Sequence, residues 1–235
     1  MRALARSERV RSPMTVALLI SCLLALGLTG CAAPPFSRPP SEPPLTGLVE
    51  KQPQLTRTSL AGVRTKTLAV VLTRNVGHSR TLNDTMRRQF TAWTVQFNLA
   101  HLVTDAEGVL SDERLMSVLF APMRSAFKDV RLVRDIPEGF ESGADYVGVL
   151  DLDLNFQELA TFPTQKLKHT ANTSLLVIDP QLVAGPLVTA QVEHEQATMA
   201  KGADGNIRDS LYAVKTSRTR MLEKFKADFE SKVKR

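Results

Sequence analysis

Cysteine is scarce in this chain: among 235 residues only Cys22 and Cys31 carry a thiol, both near the front. Nothing after residue 31 can therefore close an internal disulfide or build a cysteine-based metal site. A strong charge bias is missing too. Lys and Arg number 30 against 24 Asp and Glu, a formal +6. Half of that excess sits in residues 1–30, where Arg2, Arg6, Arg9 and Arg11 stand against Glu8 alone. The remainder is too weakly basic for a nucleic-acid protein, whose affinity comes from a clustered basic face. No apolar run after residue 28 approaches the roughly 20 residues that cross a bilayer as a helix. There is no repeat of solenoid period. The chain also lacks a Gly-x-Ser-x-Gly elbow, a Gly-x-x-x-x-Gly-Lys phosphate loop and a dinucleotide fingerprint after a strand. What remains, 43% hydrophobic and 23% charged, is ordinary globular composition.

The front of the chain is patterned. Residues 1–13 are basic and polar, and residues 14–28 are almost wholly apolar, the length of a signal-peptide core. Leu28-Thr29-Gly30-Cys31 follows. This resembles the bacterial lipobox. The resemblance implies cleavage before Cys31, a thioether-linked diacylglycerol on its sulfur and a further acyl chain on the new amino terminus. Cys31 is then the lipidation site, and Cys22 leaves with the signal peptide of residues 1–30. An ordinary secretory signal or an uncleaved short anchor would share the basic block and the apolar run. Two or more acyl chains hold a protein firmly to a bilayer, at about 0.8 kcal/mol per buried methylene, where one chain holds only marginally. The mature chain is thus expected to be tethered to the lipid bilayer and not to span it. Ala32 stands where an Asp would favour inner-membrane retention, so the resemblance implies the outer membrane, with the body in the periplasm.

Residues 31–64 read as the lipidated N-terminus and a linker. Between Pro34 and Pro53 lie seven of the thirteen prolines. Proline favours extended polyproline II. Twenty such residues, at about 3.1 Å each, would give a semi-rigid spacer of roughly 60 Å. The alternative is a disordered linker of no set length.

Residues 65–235 read as one α+β domain, a mainly antiparallel sheet packed by two principal helical regions. Thr67–Leu72 is a strand buried on both faces. Leu82, Met86, Phe90 and Trp93 fit a helical face. From Trp93 to Val103 an alternation through Val95, Phe97, Leu99 and His101 predicts a strand, and Asp105–Gly108 a turn. Ser111 and Asp112 cap a helix carrying Met116, Phe120, Met123 and Phe127, which Pro122 should kink or divide. Val130–Val133 is a short strand and Gly139–Gly143 a loop. Leu150, Leu152, Leu154 and Phe156 alternate with Asp151, Asp153, Asn155 and Gln157 in a half-buried strand. Thr173–Ile178 and the Val188, Ala190, Val192 alternation extend an antiparallel meander with one wet face. Asn206 is placed to cap a last long helix, with an apolar stripe through Ile207, Leu211, Val214, Met221, Leu222, Phe225 and Phe229.

Phe127-Lys128-Asp129-Val130-Arg131-Leu132-Val133 and Gly143-Ala144-Asp145-Tyr146-Val147-Gly148-Val149-Leu150, with the lipobox before them, carry a resemblance across residues 67–230. The chain resembles envelope lipoproteins with a small periplasmic α+β domain: the YajG-type lipoproteins, the lipoprotein activators of penicillin-binding proteins and the curli-export lipoprotein. In those relatives a helix leads into a short strand and a Gly-Ala-Asp-Tyr-like step opens the next. The resemblance implies an accessory or scaffold protein with no catalytic residues to carry over.

The residues themselves offer little chemistry. His78, His101, His169 and His194 are far apart in sequence. His194-Glu195 opens like a zinc-protease motif, but the second His position is Thr198. Asp151 and Asp153 share a strand face about 7 Å apart, a spacing that could flank a scissile bond. Asn155 and Gln157 continue that row, which favours a solvated face, and Glu193 and Glu195 read the same way. No catalytic, cofactor-binding or metal residue is therefore assigned. Residues 213–235 carry Lys215, Arg218, Arg220, Lys224, Lys226, Lys232, Lys234 and Arg235 against Glu223, Asp228 and Glu230. Such a basic amphipathic helix can approach anionic headgroups or an acidic partner, or simply offset its own dipole. The expectation is a non-enzymatic, outer-membrane-anchored accessory or docking module for an envelope complex serving cell-wall synthesis, export or lipid transport. Its partners would be the bilayer, through acylated Cys31, and another envelope protein, with no nucleic acid and no cofactor. The alternatives are a carrier holding an apolar ligand between helix and sheet at Met116, Phe120, Met123 and Phe127, and an envelope hydrolase.

Overall fold

The computed structural model describes residues 58–161, 164–181, 184–198 and 202–234. Residues 1–30, read as a signal peptide, Cys31 and the proline-rich stretch lie outside the described residues. In chain order the elements are β1 (Thr67–Leu72), α1 (Arg74–Gln96), α2 (Val103–Val109), α3 (Asp112–Ala126), β2 (Asp129–Val133), α4 (Ile136–Glu141), β3 (Tyr146–Thr161), β4 (Thr164–Ile178), β5 (Ala184–Thr198) and α5 (Gly202–Lys232). They form an α+β domain around a five-stranded sheet of order β2-β1-β3-β4-β5. The short β2 and the first turns of β3 flank β1 in parallel, which requires the helical crossovers that separate them in sequence. The long strands β3, β4 and β5 form the expected antiparallel meander.

Alternation decides which side chains face the core. Leu68 and Val70 of β1, Leu150, Leu152 and Leu154 of β3, Ala171 and Leu175 of β4 and Val188 and Val192 of β5 are buried on one face, beneath Leu119 and Met123 of α3 and Met221, Phe225 and Phe229 of α5. On the opposite face α4 covers one end, packing Ile136 and Phe140 on Ala69 and Val147. Gly139 permits that approach, since a Cβ there would lie 2.7 Å from a methyl of Val147. Farther along this face, Gln157, Thr189, Gln191 and Glu193 are exposed, the wet face expected of a meander.

Strand edges are covered by side chains from helices. β3 runs on past the end of β1, and there Ser79 of α1 donates to the Leu152 carbonyl (2.8 Å) and accepts from the Leu154 amide (2.9 Å). At the β5 edge Asp228 of α5 accepts from the Thr189 amide (2.8 Å), Lys232 donates to the Leu187 carbonyl (2.8 Å) and Lys224 to the Gln191 carbonyl (3.2 Å). Polar groups that would otherwise template another strand are thereby occupied.

Several expectations need correction. Residues 93–96 finish α1 and form no strand; Val95 is 75% exposed and Phe97 48%, so their alternation with polar neighbours marks no buried face. The helix stops at Asn98, φ 55°, where the Leu99 amide bonds the Thr94 carbonyl and the Asn98 amide that of Val95, a Schellman closure. Asp105–Gly108 lies within α2. Pro122 does not divide α3, which runs unbroken from Asp112 to Ala126. Gly139 belongs to α4, whose start is fixed by Asp135 accepting from the Glu138 amide (2.9 Å), with Pro137 in the first turn. Asn206 lies four residues inside α5, which begins at Gly202. Ser111 does cap α3 as expected, accepting from the Arg114 amide.

Phe225 is 1% exposed at the centre of the α5–sheet contact. Phe225→Ala is expected to lower unfolding stability by about 3–5 kcal/mol, the cost of losing the ring and leaving a cavity. Urea melts of the two chains measure the difference.

Candidate functional site

The stripe that α5 lays on the core is interrupted by two polar residues, Ser217 and Arg218, at positions that helical spacing assigns to the apolar face. Each is the centre of a buried polar arrangement.

Arg218 is 5% exposed. Its Nη1 donates to the Val109 carbonyl at the end of α2 (2.8 Å), and its Nη2 donates to Oδ1 of Asn83 on α1. Asn83, 1% exposed, uses its amide nitrogen on the Leu110 carbonyl (2.6 Å) and on Oδ1 of Asp112, the first residue of α3. Four helices thus meet through one guanidinium and one carboxamide. Among the described residues no carboxylate touches Arg218 directly. Burial pulls its pKa down to about 10, with Asp112 opposing, so it remains charged at neutral pH. A carbonyl at a helix C-terminus and a carboxamide oxygen are the right acceptors for a cation held in this way.

Ser217 sits one residue earlier, against the sheet. Its Oγ contacts Nδ1 of His169 on β4 and lies within bonding distance of the Ala213 (2.9 Å) and Val214 (3.0 Å) carbonyls. The Oγ thus sits between the imidazole and the carbonyls of its own helix, with His169 Nδ1 as donor or acceptor according to the ring's tautomer. His169 is fully buried and pairs across the strands with His194, whose ring meets Tyr212 edge-on. Sequence separation concealed this neighbourhood. Burial, then the nearby positive charge of Arg218 and then His194, hold the His169 pKa well below its ordinary value. Neither Ser217 nor His169 has exposed surface at which a substrate could meet the pair.

The row expected to be solvated is not uniformly so. Asp151 is 7% exposed, accepting from Thr73 Oγ1 and from Asn75 Nδ2 (3.0 Å), where it ties the start of α1 to β3. Asp153, next in the row, is half-buried. Glu193 is exposed and pairs with Lys168 (2.7 Å). Among the described residues no cluster of three His, Cys, Asp or Glu side chains forms a metal site, and no helix is long and apolar enough to cross a membrane. Phe120, Met123 and Phe127 lie in the main core with Met116 at its margin.

A concave feature of the surface lies elsewhere. A groove of about 620 Å³ runs between α2, α3 and α5, with Val109, Leu115, Val118 and Leu222 along it and Arg218 in its wall. Arg114, Lys215 and Lys226 add positive charge, against Asp105 and Glu223. The expected basic face of the last helix is therefore divided: Arg218 is buried, Lys224 and Lys232 serve the β5 edge, and Lys215 and Lys226 reach the groove. Asn83 carries no sequence signal by itself, whereas Ser217 and Arg218 stand out as polar residues within the apolar stripe.

No family model matches the chain, and no curated protein matches it. Solved structures with some likeness include a PelC dodecamer from Paraburkholderia phytofirmans, at 14% identity and TM-score 0.29 over 69% of this chain and 93% of that one. A minor lipoprotein from Acinetobacter baumannii gives 10% identity and TM-score 0.31 over 71% and 94%. A DUF330 protein from Xanthomonas campestris gives 10% identity and TM-score 0.30 over 74% and 94%. Likenesses of this size specify no function.

Two outcomes follow from the buried groups. Because His169 is held neutral in the fold but ionises near its ordinary pKa when unfolded, its contribution is fully present above about pH 6.5 and is lost progressively below it. Stability measured from pH 7.5 to 5 is expected to fall, and less steeply in His169→Phe. Asn83→Ala strips Arg218 of an acceptor while the charge stays buried, and is expected to cost about 3 kcal/mol. Arg218→Met added to it should recover part of that loss in the same denaturation assay.

Proposed function

We propose that this protein is a lipid-anchored accessory module of the bacterial envelope, held at the outer membrane through Cys31 and acting by docking, not by catalysis. The observation that carries the reading is the ordered front of the chain: basic block, apolar core, Leu28-Thr29-Gly30-Cys31 and proline-rich spacer. Leu60 is bonded on both sides to the end of α5, its amide to the Lys232 carbonyl (2.8 Å) and its carbonyl to the Lys234 amide (2.8 Å). A tether entering at Leu60 is thereby anchored to the same helix that closes the core. The non-enzymatic part of the reading is supported by the fate of the reactive side chains: Asp151, Ser217 and His169 are each committed to holding elements together. Anchoring would raise the local concentration of the domain at a membrane-bound partner, an effective-concentration gain without new contacts.

Metabolic labelling with palmitate in a Gram-negative host tests the anchor. The chain is expected to take up label and its mature form to begin at Cys31 by mass, while Cys31→Ser takes up none. An unlabelled wild-type chain, or one that retains residues 1–30, contradicts the reading.

A further inference from the structure

The groove between α2, α3 and α5 combines apolar side chains with positive charge. Along α5 its lining runs from Lys215 to Lys226, about 16 Å at the helical rise. Lys215 and Arg218 stand toward one end with Val109 of α2, and Leu222 lies farther along. Arg114, exposed on α3, faces the same space. Among the described residues Lys226 is paired with Glu230, at 4.0 Å, whereas Arg114 and Lys215 have no ion-pair partner. Arg218 meets only neutral acceptors, and its Nε has no partner at all. Four cations against two carboxylates in the lining leave the groove positive above an apolar surface.

We propose that this groove binds a single-chain anionic amphiphile, with the chain along Leu115, Val118 and Leu222 and the head at the exposed Arg114 and Lys215, while the buried Arg218 adds positive charge from the groove wall without contacting the ligand. The size argues for a small ligand over a protein partner. Its volume falls in the range of roughly 300–1,000 Å³ usual for small-molecule sites. Its lining of fourteen residues is short of the roughly 20–30 a side that a stable protein interface uses. The charge argues for an anionic head, since a neutral or cationic one would leave Arg114 and Lys215 unmatched. Val118, 43% exposed in the groove with nothing covering it, is the kind of surface an acyl chain would shield. The head is a carboxylate or a phosphate in chemistry, because a guanidinium and an ammonium donate to either. The inference does not depend on lipidation of Cys31.

Photocrosslinking of the full chain with a diazirine-bearing dodecanoate, followed by peptide mapping, tests it. Label is expected on peptides spanning residues 104–118 and 215–226. Excess dodecanoate and dodecyl phosphate should both displace it; displacement by only one of them assigns the head as carboxylate or as phosphate. Arg114→Glu with Lys215→Glu, both exposed and so compatible with the fold, should reduce labelling about tenfold at unchanged melting temperature. Label spread outside the groove, equal displacement by dodecyltrimethylammonium, or labelling undiminished by the charge reversal overturns the proposal. So does an absence of label, which would leave an acidic peptide as the occupant to examine.

Discussion

The seating of α5 on the β4–β5 half of the sheet is the interaction on which the remainder of the molecule depends. One helix of 31 residues performs three tasks at once. Met221, Phe225 and Phe229 fill the core against Leu175, Val188 and Ala190. Asp228, Lys224 and Lys232 occupy the free edge of β5. Ser217 and Arg218 reach the sheet and the other helices through buried polar bonds. Apolar burial supplies most of the stabilisation, and the polar bonds fix which face of the helix turns where, since a rotated helix would leave a guanidinium buried without acceptors.

That requirement links the core to the groove. Arg218 belongs to both: its Nη atoms are held by Val109 and Asn83, while the side chain forms part of the groove wall. The cationic character of the groove is therefore built into the packing of α1, α2, α3 and α5, with Arg114 and Lys215 adding charge at the surface. The two proposals meet chemically, since the proposed tether would hold this positive, apolar recess beside lipid, although they rest on separate observations.

Much of the fold was legible because periodicity and burial coincide. The run Thr67–Leu72 lies mid-sheet, the alternation from Leu150 to Phe156 marks β3, and the stripe from Ile207 to Phe229 is the buried face of α5. Reading failed where a local pattern had no burial behind it. Val95 and Phe97 alternate with polar residues yet project from the end of α1; the stop at Asn98, with its left-handed backbone, was the better signal. The start of α4 was equally written in Asp135, Pro137 and Glu138, which outweigh the glycines after them. The candidate site was less legible. A Ser and an Arg inside an apolar stripe announce buried polar bonds, but their partners, His169 and Asn83, lie 48 and 135 residues away and only the topology brings them near. Asp151 was misplaced for the same reason, since its bonds to Thr73 and Asn75 cross 76–78 residues.

Native-state hydrogen exchange resolves the central claim most directly. If α5 closes the domain as described, the Thr189 amide bound by Asp228 and the amides of residues 218–229 open only with the whole domain, with the same free energy as those of β3 and β4. Exchange at these sites about a hundredfold faster than in β3 and β4 would show that the helix lifts away while the sheet stays folded, and would contradict the account.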